Sequence, residues 1–421
     1  MLSDGLPRML FHRHSPRQSP RRVGVTGAGI VTALGLGWTA NAEGFRAGRR
    51  AFRPVTIFDA SRQRVQRAAE VTLPESLPGT SLSSRVERRL DRAARMLLHA
   101  AHQAWTTSGW IASPKLPLIL ATTSGGMALG ESYFRQAIQR PRDHRRQPTR
   151  VVHYLAQQQA IDLANAFEFQ GPVTLIANAC ASGANAVGHG WELIRSGQAD
   201  RVLVGGYDAL SELVFAGFDS LQALSPTTCR PFDAARDGLG LGEGAAVVAL
   251  ESLESAQSRG ATILGEICGY GASTDVHHLT QPHPEGDAAF ASMNAACETA
   301  GVGASQIGYL NAHGTGTPLN DGAEAAAISR WAGSHVGGLQ VSSTKASIGH
   351  LLGAAGIVET VVCLMSLREG WLPPELGVGT LDPACHFQLV RSPRRASIEY
   401  ALTNSFGFGG ANASLVIRRW I

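Results

Sequence analysis

Among the six cysteines of the chain, Cys180 stands where a thiol can do chemistry. It lies in Gly171–Gly197, GPVTLIANACASGANAVGHGWELIRSG. The apolar run Val173–Ile176 predicts a strand, Ala177–Ser182 a turn of small residues, and the Gly- and Ala-rich stretch after it a helix ended by Gly197. A thiol at the amino end of a helix meets the positive end of the helix dipole and unpaired backbone N–H groups, both of which favour the nucleophilic thiolate. Ala179, Ala181, Ser182 and Gly183 leave room for a substrate to approach. A buried free cysteine is more often an inert core residue. The question is whether other reactive groups converge on this one.

Two further turns carry such groups. His313 stands in NAHGTGT, and Lys345 and His350 stand in STKASIGHLLGAAG. Lys345 is one of only two lysines, with Lys115, in a chain whose basic residues are otherwise arginine. Thr315 and Thr317 can hold the His313 loop by side-chain-to-backbone bonds. Asp321 and Glu324, on the helix expected after that loop, are candidate partners for His313.

The elements that must position these residues repeat. Ile263–Thr274 echoes the early strand and glycine segment GVTGAGIVT. Ile307–Thr317 echoes PLILATTSGG, Leu339–Gly370 echoes Gly171–Gly197, and Gly409–Ile417 echoes GEGAAVVAL. The order is the same in both series, which indicates a duplicated α/β unit. Near-continuous apolar strands alternating with helices imply covered, largely parallel sheets. The expected organisation is an extension at residues 1–20, a half spanning 21–258 with the cysteine, and a half spanning 259–421 with the histidines. With pseudo-twofold packing, the Cys180 turn faces the His313 and His350 turns.

Within the first half, RRVGVTGAG at Arg21–Gly29 reads as a strand running into a tight glycine turn. It lacks the full GxGxxG of a dinucleotide site. Asn41–Ala51 reads as helical. Ser84–Thr107 reads as one amphipathic helix opened by a Ser84/Glu87 capping box. Pro117–Ala121 and Arg201–Gly206 read as buried strands, and residues 130–168 as irregular, then helical, with a basic loop at 140–150.

Composition narrows the function classes. The 421 residues are 44% hydrophobic and 17% charged with 48 glycines, as expected of a turn-rich α/β protein able to bury a large core. No apolar run reaches the ~20 uncharged residues of a membrane helix; the nearest, Leu351–Leu367, contains Glu359. Residues 1–20 lack the apolar core of a secretory signal. Six cysteines without a CxxC pair or regular framework suit free thiols in a reducing compartment, so a cytoplasmic location is expected. The fourteen histidines are scattered, and His277, His278 and His283 lack a close Cys or acidic set, so no metal site is expected. A net charge of +4 without an interleaved aromatic and basic stripe does not suggest nucleic acid.

A cysteine with two histidines and no evident carboxylate base is unlike a hydrolase triad. It suits acyl transfer, in which the sulfur takes an acyl group as a thioester and imidazole N–H groups stabilise a developing oxyanion. Two imidazoles aimed at one oxygen suit an enolate formed next to a thioester.

Five stretches then resemble, in order, the signatures of the β-ketoacyl-acyl carrier protein synthases: ANACASGANAVGHG, RPFDAARDGLGLGEGAA, NAHGTGTPLND, KASIGHLLGAAG and NSFGFGGANAS. The likeness covers residues 21–421 and is to the elongating type I/II class; the initiating type has Asn at one of the two His positions, and thiolases carry a second catalytic Cys. The resemblance implies a thiolase-like fold, two pseudo-symmetric βαβαβαββ halves in a layered αβαβα architecture, and a dimer of identical or related subunits. It implies that Cys180 accepts an acyl chain from the phosphopantetheine of an acyl carrier protein, with no separate cofactor. Malonyl-carrier protein then loses carbon dioxide and attacks. His313 and His350 would stabilise the enolate, and Lys345, with Glu324 as its partner, would set their electrostatics. The backbone N–H groups of Cys180 and Phe408 would form an oxyanion hole. Gly407–Gly410 would act as a gate, with Phe406, Phe408 and Gly409 in or beside it. Arg85, Arg88 and Arg89 would dock the acidic carrier. Many family members have Phe-Val where this chain has Leu239-Gly240, and the SGGM turn also differs; both departures bear on acyl-chain preference. Competing readings are a thiolase acting on coenzyme A thioesters, the chain-length-determining partner of a heterodimeric synthase, which typically lacks the cysteine, and an acyl-binding scaffold.

Overall fold

The computed structural model describes residues 19–111, 115–142, 152 and 155–421. The expected extension at 1–20 and basic loop at 140–150 therefore lie mostly outside the described residues. Among the described residues the main sheet has twelve strands. Ten form its two matching series: β1 (Val23–Thr32), β2 (Leu118–Ala121), β3 (Val173–Ile176), β4 (Arg201–Asp208), β5 (Gly244–Ser252), β6 (Gly265–Thr274), β7 (Ile307–Asn311), β8 (Gln340–Ser342), β9 (Tyr400–Phe406) and β10 (Ala411–Arg418). The two-residue strands Gly35–Leu36 and Gln388–Leu389 pair with β1 and β8. From the centre outward, the first half runs β1, β5, β4, β2, β3 and the second runs β6, β10, β9, β7, β8. Pairings match step for step: the first three strands of each series are antiparallel and the outer three parallel. The halves join where Val23–Val25 pairs antiparallel with Gly265–Ile267. The repeat read from sequence is thus a repeat of topology.

Helices fill the layers. Helix α1 (Arg92–Ser108) covers the outer face of β1 and β5, and α3 (Asp287–Ala300) covers β6 and β10 in the same way. Between the two blocks lie α2 (Ser182–Arg195) and α5 (Ala355–Glu369). They cross closely enough that glycine is required: a Cβ at Gly183 would sit 2.7 Å from the Ile357 nitrogen, and one at Gly356 would sit 2.5 Å from the Ala184 nitrogen. The last layer includes α4 (Pro318–Ala332), packed on α3. This gives the expected αβαβα order.

Four local expectations are corrected. TGAG is not a turn, because β1 runs through it to Thr32. Its glycines serve packing: a Cβ at Gly27 or Gly29 would lie 2.2 or 1.9 Å from carbonyl oxygens of α1, and Gly269 and Gly271 stand in the same relation to α3. The Ser84–Thr107 helix is interrupted. A single turn, Ser84–Glu87, precedes α1, whose N-cap is Asp91 accepting from the Ala94 N–H at 2.7 Å; no capping box forms at Ser84. The first helix runs Trp38–Arg46 rather than Asn41–Ala51, and Met127–Gln139 is helical where an irregular segment was expected.

Candidate active site

Strand β3 ends just before a 3₁₀ turn, Ala179–Ala181, and α2 begins at Ser182. Ala179 holds φ +58°, a left-handed conformation that costs a non-glycine residue energy and persists only when its surroundings enforce it. Ser182 helps enforce it. Its hydroxyl donates to the Ala179 carbonyl at 2.5 Å and accepts from the Asn178 N–H at 2.9 Å. Cys180 is carried at the apex of this elbow, 7% exposed.

The elbow opens on a cavity of about 390 Å³ lined by Cys180, His313, His350, Thr315, Phe406 and Phe408, among others. The His313 and His350 rings meet edge to face, 5.3 Å between centroids at 83°, and Phe406 lies 5.6 Å from His313. The tautomer of His350 follows from one bond: the Leu352 N–H donates to Nδ1 at 3.2 Å, so the proton sits on Nε2. That nitrogen and His313 Nδ1 are both buried, and neither has a hydrogen-bond partner among the described residues. Burial, then the charge on Lys345, holds both imidazoles well below the usual range, so both are neutral.

The sulfur is not a resting thiolate. Burial pushes the Cys180 thiol up to about 12, against the lowering pull of Lys345. A one-turn positive end at a helix start does not overcome that desolvation.

Asp321 and Glu324 do flank His313, but through its backbone. Glu324 accepts from the His313 and Gly314 N–H groups, each at 2.8 Å, and from Asn404 at 3.1 Å. Asp321 accepts from the Thr315 N–H at 2.9 Å and from Gly316. The two carboxylates clamp the loop rather than the imidazole. Burial raises Glu324 to about 7 against these bonds. Thr315 and Thr317 join hydroxyl to hydroxyl at 2.9 Å, and Thr317 N–H donates to Thr315 Oγ1 at 3.4 Å.

Lys345 does not pair with Glu324. Its ammonium lies 2.6 Å from Glu359 on α5, with both side chains buried. Glu359 is the residue the motifs missed. Its signal was a lone carboxylate inside an otherwise apolar helix, a position tolerated only with a partner.

Gly407 presses on the elbow: a Cβ there would lie 3.1 Å from the Cys180 nitrogen. Beyond it Phe408 is 41% exposed and stacks on Phe218 at 6.0 Å, and Gly409 N–H donates to the Leu279 carbonyl at 2.7 Å. Phe408 thus closes part of the cavity wall from a backbone stretch with φ near +80° at Gly409 and Gly410. Arg85, Arg88 and Arg89 are exposed on and just after the Ser84–Glu87 turn and do not line the cavity. Among the described residues no group of His, Cys, Asp or Glu could hold a metal ion, and no helix is long and apolar enough to cross a membrane.

Residues 20–256 match the model of the β-ketoacyl synthase N-terminal domain, and 264–379 match that of the C-terminal domain. The chain belongs to the β-ketoacyl synthase family. A 3-oxoacyl-[acyl-carrier-protein] synthase 2 of Coxiella burnetii is 35% identical over 416 residues, 95% of this synthase and 99% of the relative. Among solved structures, the ishigamide ketosynthase/chain length factor superposes with a TM-score of 0.90 at 32% identity, covering 96% of this chain and all of that one. A β-ketoacyl synthase from Burkholderia phymatum gives 0.86 at 32% identity, covering 95% and 100%. The synthase has the thiolase-like fold of these neighbours, as the resemblance implied.

Proposed function

We propose that this chain is an elongating β-ketoacyl-acyl carrier protein synthase, extending an acyl or polyketide-like chain by two carbons from a malonyl unit. The observation that carries the reading is one cavity lined by a cysteine at a strained elbow and two neutral imidazoles. In the first stage the Cys180 sulfur attacks the carrier thioester. The Cys180–acyl bond forms, the bond to the phosphopantetheine sulfur breaks, and the thiol proton passes to the leaving carrier thiol. The N–H groups of Cys180 and Phe408 receive the oxyanion.

In the second stage malonyl-carrier protein loses carbon dioxide. The electron pair of the broken carbon–carbon bond becomes an enolate, whose oxygen accepts hydrogen bonds from His313 and from His350 Nε2–H. The enolate carbon attacks the Cys180 thioester, a carbon–carbon bond forms, and the sulfur leaves as thiolate and takes a proton from solvent. Neutral imidazoles suit this step, because a donor N–H is needed and a second net charge in a dry cavity is not. Lys345, balanced by Glu359, supplies the local positive field. Phe408 gates entry with its Gly407–Gly410 loop. The division into halves at 21–258 and 259–421 places the nucleophile in one and the enolate-binding groups in the other.

The substrates arrive on acyl carrier protein, and the exposed Arg85, Arg88 and Arg89 offer its acidic surface a docking patch away from the cavity. The active unit is a dimer. A partner that is related but not identical is supported by the likeness to the ishigamide ketosynthase/chain length factor. Intact Cys180 supports the catalytic rather than the chain-length-setting role.

The test is incubation with acyl-carrier and malonyl-carrier protein, followed by intact mass measurement. Wild type should gain an acyl adduct that Cys180→Ala lacks. His313→Ala and His350→Ala should acylate and fail to condense. An adduct of equal size on Cys180→Ala would sink the mechanism.

A further inference from the structure

The pseudo-twofold gives the Cys180 elbow a twin. In the second half a 3₁₀ turn, Leu352–Ala354, precedes α5 as Ala179–Ala181 precedes α2. Leu352 holds φ +52° where Ala179 holds +58°, both being the third residue before the helix. Gly353 therefore stands where Cys180 stands. It has no room for a side chain: a Cβ would lie 2.5 Å from Thr122 and 2.6 Å from the Thr123 nitrogen.

The groups above the two elbows differ in an informative way. Gly407 faces Ala411, the first residue of β10, through a 2.7 Å backbone bond, and Asp208 faces Gly244, the first residue of β5. Asp208 and Gly407 are thus equivalent positions. Gly407 puts no side chain beside the Cys180 N–H, from which a Cβ would lie 3.1 Å. Asp208 fills the equivalent space, its carboxylate accepting from the Gly353 N–H at 2.6 Å. The same carboxylate accepts from the N–H groups of Thr123, Ser124 and Gly125 and from the hydroxyls of Thr122 and Ser124, at 2.7–3.2 Å. It is fully buried. Burial pushes the Asp208 carboxyl up, and the hydrogen bonds from Thr122, Thr123 and Ser124 pull it back toward the charged form. A ring of convergent donors is the arrangement that favours a carboxylate there, an anion hole with its anion built in.

The geometry points to Asp208 as a positioning residue: its carboxylate occupies the anion hole of the silent second elbow and locks that elbow so that His350 keeps its working tautomer. The link is one peptide long. Asp208 holds the Gly353 N–H, and the neighbouring Leu352 N–H is the donor that fixes His350 Nδ1. The carboxylate also ties the turn after β2, in the first half, to the turn before α5, in the second. Loss of the anion would leave several buried donors facing one another and free the Leu352 peptide to turn. The acyl-accepting elbow at Cys180 has its own Ser182 brace and should feel this less.

This inference rests on the proposed roles of Cys180 and His350, and its test separates the two. Wild type, Asp208→Asn and Asp208→Gly, the last copying Gly407, are compared for acylation of Cys180, for condensation and for melting temperature. Each is run with added formate and with chloride at matched ionic strength. Asp208→Asn should acylate within about threefold of wild type while condensation falls about tenfold or more, the loss expected when buried donors lose their acceptor. Formate, and not chloride, should raise the melting temperature of Asp208→Gly and recover part of its condensation, since a small carboxylate can re-enter the vacated hole. Equal losses in both half-reactions, or no formate-specific effect on Asp208→Gly, would overturn the assignment. If wild type itself failed to acylate, the synthase reading would fall. The formate-dependent melting shift of Asp208→Gly would still decide whether the second elbow is an anion hole.

Discussion

Lys345 Nζ lies 2.6 Å from Glu359 Oε1, and the two side chains are 1% and 2% exposed. An ion pair so enclosed gains Coulomb energy and loses hydration in comparable amounts, so its value shows when one partner is removed. Glu359→Leu should therefore destabilise the protein by about 3–5 kcal/mol, because an ammonium is left buried without its counter-charge. The double variant with Lys345→Met should recover most of that loss. Denaturant unfolding of the three proteins measures it; a double variant no more stable than Glu359→Leu would contradict the pairing as the cause.

Lys345 also acts at a distance. Burial first and its charge second keep His313 and His350 well below the ordinary imidazole value. A base with a depressed pKa gains its proton only at lower pH, so the neutral, competent form persists into mild acid. Condensation should stay level from pH 8 to about pH 6, below the ordinary midpoint near 6.5. A fall in rate with an apparent midpoint at or above 6.5, in single-turnover measurements on acylated enzyme, would show that the imidazoles are not held neutral.

The thiol makes the opposite demand. With Cys180 pushed up to about 12, the thiolate fraction rises about tenfold per pH unit throughout the working range. Alkylation of Cys180 by iodoacetamide should climb with a log-rate slope near one up to about pH 10. A plateau between pH 6 and 8 would mean that a preformed thiolate, rather than proton transfer during attack, accounts for its reactivity.

Gly240 and the Phe52 ring share one space. A Cβ at Gly240 would sit 2.3 Å from the Phe52 ring. The Gly240 carbonyl meanwhile accepts from the His350 N–H at 2.7 Å, so a displaced Gly240 backbone reaches the site. Gly240→Val should cost about 1–3 kcal/mol by overpacking, and Phe52→Ala in the same chain should relieve it. Melting of the two single variants and the double gives the coupling; strict additivity would mean the ring and residue 240 do not compete for space.

Much of this was legible in the sequence because the fold repeats itself. Each echoed stretch became an equivalent strand, and Cys180, His313 and His350 met in one cavity because equivalent strand ends converge. What escaped were contacts made by neither spacing nor motif. Glu324 was expected beside Lys345 on the family resemblance, yet its oxygens are occupied by the His313 and Gly314 N–H groups. Glu359 is fourteen residues beyond Lys345 and reaches it only because α5 turns back under the short helix Lys345–Ile348. The glycines of TGAG read as a turn because helix proximity, the reason for them, leaves no local pattern. The Ser84–Thr107 helix breaks because Asp91 caps a new helix at Ala94, a signal the continuous apolar spacing masked.

The absence of room at Gly353 has a consequence for stoichiometry. Two elbows of the same shape face the interior, but one has lost the space for any side chain. On the proposed mechanism each polypeptide then parks a single acyl group at a time. The loading capacity of an assembly counts its Cys180-bearing subunits, and titration with acyl-carrier protein should saturate at one adduct per such chain.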